Sequence, residues 1–154
     1  MTEPILLAYD GSDDSKRAVD AAGLLFGSRP AVVLNVAPSM TFAESMVATS
    51  SVVPGNAFED LNKADALVRA EAGAARARRA GLDAEPRATI ASTKWQGIVD
   101  VADELDAAAI VIGSQGLSGL RELAQGSVSH DVATHAGRPV LIVPPAHTTT
   151  KEQK

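Results

Sequence analysis

The sequence predicts a single-domain α/β protein, built on a doubly wound five-stranded parallel sheet in the order 3-2-1-4-5 with helices on both faces. Two observations support this fold. Short apolar runs alternate along the chain with segments whose apolar residues recur at helical spacing, as in a parallel sheet covered on both sides. The length of 154 residues suits one domain. We assign residues 1–146 to this domain and predict a disordered polar tail over residues 147–154.

The first strand and helix are predicted from an apolar run and a capping signal. Residues 5–9 are apolar and lead into Asp10, after which Ser12 is a candidate helix N-cap. Gly27 is expected to end the helix. The predicted core face of this helix consists of Ala18, Ala22, Leu25 and Phe26.

The second strand and helix are separated by a long connection. Residues 31–36 form a buried strand closed by Pro38. Residues 38–56 form a loop of a length that is usually functional or mobile in compact domains. A long helix follows over residues 58–80. Its predicted core face consists of Phe58, Leu61, Val68, Ala72 and Ala75.

The second half of the chain repeats the alternation. Residues 83–91 form the weakest strand, and Pro86 places it at a sheet edge because proline cannot donate to the ladder. The remaining predicted elements are a helix carrying Ile98, Val101, Ala102 and Leu105, a strand at 107–112, a helix at 127–135 and a strand at 139–143.

Composition limits the function classes. The net charge of −5 and the 3% aromatic content argue against a nucleic-acid partner, which would need a basic face or stacking rings. The sequence has no cysteine, which excludes disulfides and thiolate metal sites. Neither a membrane-spanning apolar run nor a signal-like N-terminus is visible in the sequence. We therefore expect a cytoplasmic protein without a membrane partner.

A glycine-rich stretch indicates the chemistry. Gly113, Gly116 and Gly126 belong to the stretch 113–127, which comes directly after an apolar strand, and they let the backbone approach a ligand, while Ser127 opens the next helix. Backbone amides and a positive helix end at such a place suit a phosphate group. Asp10 also follows a strand, so both features lie at carboxyl strand ends, where doubly wound sheets bind ligands. The sequence has neither a P-loop nor the dinucleotide fingerprint.

The spacing of this stretch resembles a family signature. Gly113-x2-Gly116-x9-Gly126-Ser127 is similar to the G-2x-G-9x-G-(S/T) motif of the ATP-binding universal stress proteins, and the likeness extends over residues 4–144. The resemblance implies that Asp10 reaches the adenosine, that the backbone of Ala8 lies beside the adenine, and that the Val36 main chain recognises the base. It further implies a phosphate and ribose site formed by Ile112, Gly113, Gly116, Gly126, Ser127 and Val128.

The function implied by this resemblance is an ATP-binding stress-response regulator that acts as a homodimer, paired through Val140–Val143. Gln115 and Glu122 stand where many relatives carry basic residues, which leaves AMP or cyclic AMP as alternative ligands. Two further alternatives stay open. One is a slow ATP hydrolase, with Mg²⁺ held on the phosphates by Asp10. The other is an interaction module that binds no nucleotide.

Apart from Asp10 in the hydrolase alternative, no residue is assigned a catalytic or metal-binding role. Ser127, His130 and Asp131 are close neighbours on one predicted helix, so their side chains diverge and cannot form a triad. His130 and His135 lie about 140° apart around that helix, which is unfavourable for a shared metal. Trp95, the only tryptophan, is expected to cover the sheet edge.

Overall fold

The computed structural model describes residues 2–39, 56–114 and 127–146. The predicted loop at 38–56 and the predicted tail at 147–154 therefore lie largely or wholly outside the described residues. The described elements are β1 (Ile5–Ala8), α1 (Asp13–Phe26), β2 (Pro30–Pro38), α2 (Asn56–Arg79), β3 (Asp83–Ala91), α3 (Lys94–Glu104), β4 (Ala109–Gly113), α4 (Val128–His135) and β5 (Val140–Val143).

The five strands form one parallel sheet in the order β3-β2-β1-β4-β5, which confirms the predicted topology. Successive residues of β1 face opposite sides, as the pleat of a strand requires. Ile5 and Leu7 pack with α1 and α2, whereas Leu6 and Ala8 pack with α3 and α4. The sheet is thus covered on both faces, and β1 lies at its centre.

β3 lies at a sheet edge, as predicted from the presence of Pro86. It pairs along its whole length with β2 and places Pro86 opposite Val33. An edge strand needs hydrogen bonds on one side only, so a proline there is tolerated. None of the described helices is long and apolar enough to cross a membrane.

The predicted core face of α2 is wrong. Phe58, Leu61 and Val68 are 42%, 64% and 70% exposed, Ala72 is exposed and Ala75 is half-buried. The helix instead turns a face of very small residues to the sheet, formed by Ala66, Ala70, Gly73, Ala74 and Ala77. The reason is close approach, because a Cβ at Gly73 would lie 2.7 Å from the Tyr9 ring and from Val33 Cγ1.

The predicted core face of α1 is correct except at Leu25. Ala18 and Ala22 are buried and Phe26 packs against the core, but Leu25 is 62% exposed. The buried stripe passes through Gly23, where α1 crosses the end of α2 with Ala80 as its neighbour. Leu25 therefore lies on the outer side of the last turn.

Arg138 joins the end of α3 to the start of β5. Its Nη1 donates to the carbonyls of Ala102 at 3.0 Å and Ala107 at 2.6 Å, and its Nη2 bonds Asp103 at 2.6 Å. The Ala102 carbonyl belongs to the last turn of α3, where an added donor is favourable and a cation suits the negative end of the helix dipole. The amino ends of β4 and β5 are held together by this side chain.

Candidate functional site

The winding of the sheet reverses between β1 and β4. The chain passes from β1 outward to β3 on one side, and from β4 to β5 on the other. β1 and β4 are parallel neighbours with Leu7 opposite Val111, so Ala8 and Asp10 lie beside Ile112 and Gly113. In open α/β sheets the crevice at such a point is the usual ligand site. The structure thus brings these four predicted residues to one corner.

Asp10 is fixed in the turn between β1 and α1. Its Oδ1 accepts a hydrogen bond from the Ser12 N–H at 2.9 Å. Ser12 is the N-cap of α1, as predicted, and its Oγ accepts from the Ser15 N–H at 3.2 Å. Gly11 has a φ of +83°, which glycine adopts without strain. The carboxylate of Asp10 is therefore held at the end of β1 by the geometry of the turn.

The main chain of Val36 lies just past the end of its ladder with β1. The last pair between β1 and β2 is Ala8↔Leu34, and the Leu34 carbonyl accepts from the Tyr9 N–H at 2.9 Å. Polar groups of alternate residues point to the same side of a strand, so the N–H and C=O of Val36 are directed past the end of β1. The Val36 side chain is covered by α3, because a Cβ at Gly97 would lie 2.7 Å from its Cγ1.

Gly113 lies against the first turn of α1. A Cβ at this position would lie 2.9 Å from the carbonyl carbon and oxygen of Asp14, and 3.0 Å from its Cβ. The neighbour is backbone, which cannot swing aside as a long side chain can. Packing of β4 on α1 therefore requires glycine here, whatever a ligand requires. Ile112, by contrast, is buried in the face covered by α3 and α4.

Polar atoms without hydrogen-bond partners lie beside this contact, and no motif in the sequence marks them. Asp14 forms an ion pair with Arg17 through Oδ1. Among the described residues, the buried atoms that have no hydrogen-bond partner are Asp14 Oδ2, Arg17 Nε and Ser114 Oγ. A buried polar atom left unpaired costs about 1–3 kcal/mol. The beginning of the glycine-rich stretch thus carries unused hydrogen-bonding capacity.

Ser127 begins α4 as its N-cap. Its Oγ accepts from the His130 N–H at 3.2 Å and lies 3.3 Å from Ser129 Oγ. The first turn of any helix leaves backbone N–H groups unsatisfied and carries a partial positive charge, so it favours an anion. Val128, the first residue of the helix, is half-buried. Gly116 and Gly126, together with Gln115 and Glu122, lie outside the described residues.

The helices over this face carry one aromatic pair. Trp95 stacks on His135, with ring centroids 4.3 Å apart and planes inclined by 23°. Trp95 also packs against the cluster that includes Leu6 and Leu34, so it helps to cover the sheet. Within residues 2–39, 56–114 and 127–146, no group of three or more histidine, aspartate or glutamate side chains is arranged to hold a metal ion.

Comparisons with known proteins agree with this geometry. The model of the universal stress protein family matches residues 1–144. Universal stress protein YxiE of Bacillus subtilis is 35% identical, with 93% of this chain and 99% of that protein aligned.

Two solved structures are similar and contain ligands. A universal stress protein in complex with cAMP is 27% identical, covers 96% of this chain and 98% of its own, and has a TM-score of 0.65. The universal stress protein of Archaeoglobus fulgidus in complex with dAMP is 26% identical, covers 90% and 95%, and has a TM-score of 0.57. The fold, the family match and the relatives lead to one conclusion: this chain belongs to the universal stress protein family.

Proposed function

We propose that this protein is an adenine-nucleotide-binding regulator, with ATP as its ligand, that works as a homodimer in the cytoplasm. The observation that carries the proposal is the switch point of the sheet, where Asp10 follows β1 between the carboxyl ends of β4 and of β2, the strand that contains Val36. The similar proteins that bind cAMP and dAMP support an adenine nucleotide there. Location in the cytoplasm stays a prediction from the sequence.

Each part of the nucleotide has an assigned partner. Ala8, Asp10 and the Val36 main chain would hold the adenosine, with Ile112 and Gly113 along its side. Gly116, Gly126, Ser127 and Val128 would hold the ribose and phosphates. Each amide donor to a charged phosphate is worth about 1.5–3 kcal/mol. Several such bonds supply much of the roughly 8 kcal/mol that a micromolar affinity requires.

We infer the number of phosphates and the metal from residue types in the glycine-rich stretch and from Asp10. Gln115 and Glu122 bring no positive charge to the phosphates, so AMP or cyclic AMP is the second candidate ligand. Mg²⁺ commonly uses one or two carboxylates together with the phosphates of its ligand. Asp10 is the carboxylate we assign to that role if the metal arrives with ATP.

The proposal is tested by the ligand itself. Freshly purified protein is heated, and the released small molecules are identified by mass spectrometry. Calorimetric titration with ATP, ADP, AMP and cAMP, each with and without Mg²⁺, then ranks the ligands, and GTP serves as the control for the base. We expect adenine nucleotides to bind and GTP to bind at least tenfold more weakly. If none of the adenine nucleotides binds, the proposal is wrong and the alternative of an interaction module without a nucleotide is favoured.

A separate measurement decides between regulator and enzyme. Steady-state phosphate release from ATP that disappears in Asp10→Asn would support the slow hydrolase. Tight ATP binding without phosphate release supports the regulator.

Two substitutions at Ser127 separate helix capping from phosphate binding. Ser127→Ala removes the cap and should lower the free energy of unfolding by about 1 kcal/mol. Ser127→Asp keeps a capping oxygen, so stability should stay close to that of the wild type, but its charge repels the phosphates. We expect nucleotide affinity to fall at least tenfold in Ser127→Asp, measured by calorimetry beside urea denaturation. Unchanged affinity in this stable variant would remove Ser127 from the site.

The edge strand β5 is the proposed dimer contact. Ile142 is 39% exposed, and the other residues of β5 are half-buried. A charged lysine in the middle of an edge strand disfavours pairing with the edge strand of a second copy of the chain. Ile142→Lys should therefore convert a dimer to a monomer in sedimentation experiments. Leu24→Lys, on the outer side of α1 and 87% exposed, is the matched control and should leave the dimer intact.

A further inference from the structure

The ladder between β1 and β2 ends in an unusual way. In a parallel ladder, a residue donates to one neighbour of the residue opposite it and accepts from the other neighbour. Tyr9 follows the last pair, Ala8↔Leu34, and its N–H donates to the Leu34 carbonyl at 2.9 Å. The next regular bond would run from the Val36 N–H to the Tyr9 carbonyl.

A side chain takes the place of that bond. The Asn35 side-chain Nδ2 donates to the Tyr9 carbonyl at 2.7 Å. Over the part of the chain that the structure describes, no backbone hydrogen bond joins the Val36 N–H to this carbonyl. The ladder therefore ends one hydrogen bond early. Asn35 occupies the Tyr9 carbonyl, which would otherwise accept a hydrogen bond from the Val36 N–H.

We infer that Asn35 is a positioning residue for base recognition, because its side chain keeps the Val36 N–H out of the ladder and turned toward the ligand. The inference rests on the proposed function, in which Val36 recognises adenine through its main chain. It deepens that proposal by assigning the residue that makes the recognition possible.

The surroundings of Asn35 fit this role. The residue is only 6% exposed, so its side chain has little freedom to leave the Tyr9 carbonyl. Tyr9 is held from two other directions, through its N–H on Leu34 and through its ring against Gly73. The acceptor is thus fixed in place. Only a side chain that donates can satisfy it, which asparagine does and aspartate, when ionised, does not.

The main chain left available has a defined chemical preference. The N–H and C=O of one residue lie side by side on the same side of a strand. They match a base edge that carries an acceptor nitrogen next to an amino group, as adenine does. Guanine has a carbonyl where adenine has the amino group, and a ring N–H where adenine has the acceptor nitrogen. Guanine would therefore place a donor opposite the Val36 N–H and an acceptor opposite the Val36 carbonyl. Asn35 should therefore influence the choice of base as well as affinity.

The test is Asn35→Ala, examined without ligand and with AMP. In the variant without ligand, the Tyr9 carbonyl loses its partner and the Val36 N–H is expected to replace it. A scalar coupling across the hydrogen bond between Val36 N and the Tyr9 carbonyl carbon should then appear by NMR. Hydrogen exchange at the Val36 amide should become slower than in the wild type, relative to neighbouring core amides. A purely structural role for Asn35 would make this amide exchange faster.

Binding gives the second readout. We expect the affinity of Asn35→Ala for AMP to fall about tenfold or more, the equivalent of one lost hydrogen bond, and its preference for AMP over GMP to fall with it. Val101→Ala removes buried volume from α3 at the opposite end of the sheet and is the control for lost stability. This control should bind AMP as the wild type does.

The outcomes separate the inference from the proposed function. If the wild type binds AMP and Asn35→Ala binds it equally well, the inference is wrong and the proposed function stands. If the wild type binds no adenine nucleotide, the proposed function is wrong. The NMR comparison still decides in that case whether Asn35 withholds Val36 from the ladder, and faster exchange without the new coupling would overturn the inference.

Discussion

Replacement of Gly73 by valine is expected to lower the free energy of unfolding by about 3 kcal/mol or more, at the upper end of what overpacking costs. The first side-chain atom at this position would already lie 2.7 Å from the Tyr9 ring and from Val33 Cγ1. Val33 is fully buried and Tyr9 nearly so, so neither has space into which it can withdraw. The helix must therefore move off the sheet along the whole face of small residues.

Urea denaturation followed by circular dichroism measures this loss. Ala72→Val is the matched control, since Ala72 is the preceding residue of the same helix and is exposed. In that control, the free energy of unfolding should fall by only about half a kcal/mol, because valine has a lower helix propensity than alanine. Equal stability of the two variants would contradict the close packing of α2. Because Tyr9 precedes Asp10, we also expect Gly73→Val to weaken nucleotide binding.

Gly113→Ala is expected to reduce both stability and nucleotide affinity. The added methyl group meets the backbone of Asp14, so β4 or the first turn of α1 must shift. Overpacking of this kind costs about 1–3 kcal/mol. The shifted turn carries Ser12, whose N–H bonds Asp10 Oδ1, so the carboxylate should move with it. We expect the affinity for AMP to fall at least tenfold.

The matched control is Gly23→Ala in the same helix. A Cβ there would lie 2.5 Å from the Ala80 carbonyl oxygen, again a clash with backbone, but at the far end of α1. Gly23→Ala should therefore lose stability and keep its affinity. Calorimetry and urea denaturation of both variants decide the matter. A fully stable Gly113→Ala protein that no longer binds AMP would mean that this glycine accommodates the ligand only.

The topology could be predicted because the strands are apolar throughout and the helices between them begin and end at recognisable residues. Ser12 and Ser127 were identified as helix starts from their residue type, and both cap their helices. Pro86 placed β3 at the edge for a simple reason, since proline cannot donate to a second neighbour. These features depend on local chemistry, which a single sequence carries.

The core face of α2 could not be predicted by asking where the largest apolar residues lie. Size was the misleading criterion, because this helix approaches the sheet so closely that only alanine and glycine fit. A signal was present, namely small residues repeated three or four positions apart from Ala66 to Ala77. Such spacing marks one side of a helix as readily as leucines do.

Residues of the proposed site could be named one by one from the sequence only where a motif existed. Asp10 and Val36 were identified through the family resemblance, and the structure places both at the same corner. Asn35 stands beside Val36 at the end of the second strand but was given no role, because its proposed role depends on a hydrogen bond to Tyr9, just past the neighbouring strand. Asp14 was also missed as the neighbour of Gly113, since nothing local in the sequence joins α1 to β4.

Arg138 has a mechanical consequence for α4. Its bonds anchor the chain just beyond this helix to the last turn of α3, so they hold the end of α4 that lies opposite its N-cap Ser127. We therefore expect α4 to rotate about its end near Arg138 when an anion binds at its N-terminus. The displacement would be greatest at Ser127 and would vanish toward β5, leaving the outer edge of the sheet undisturbed.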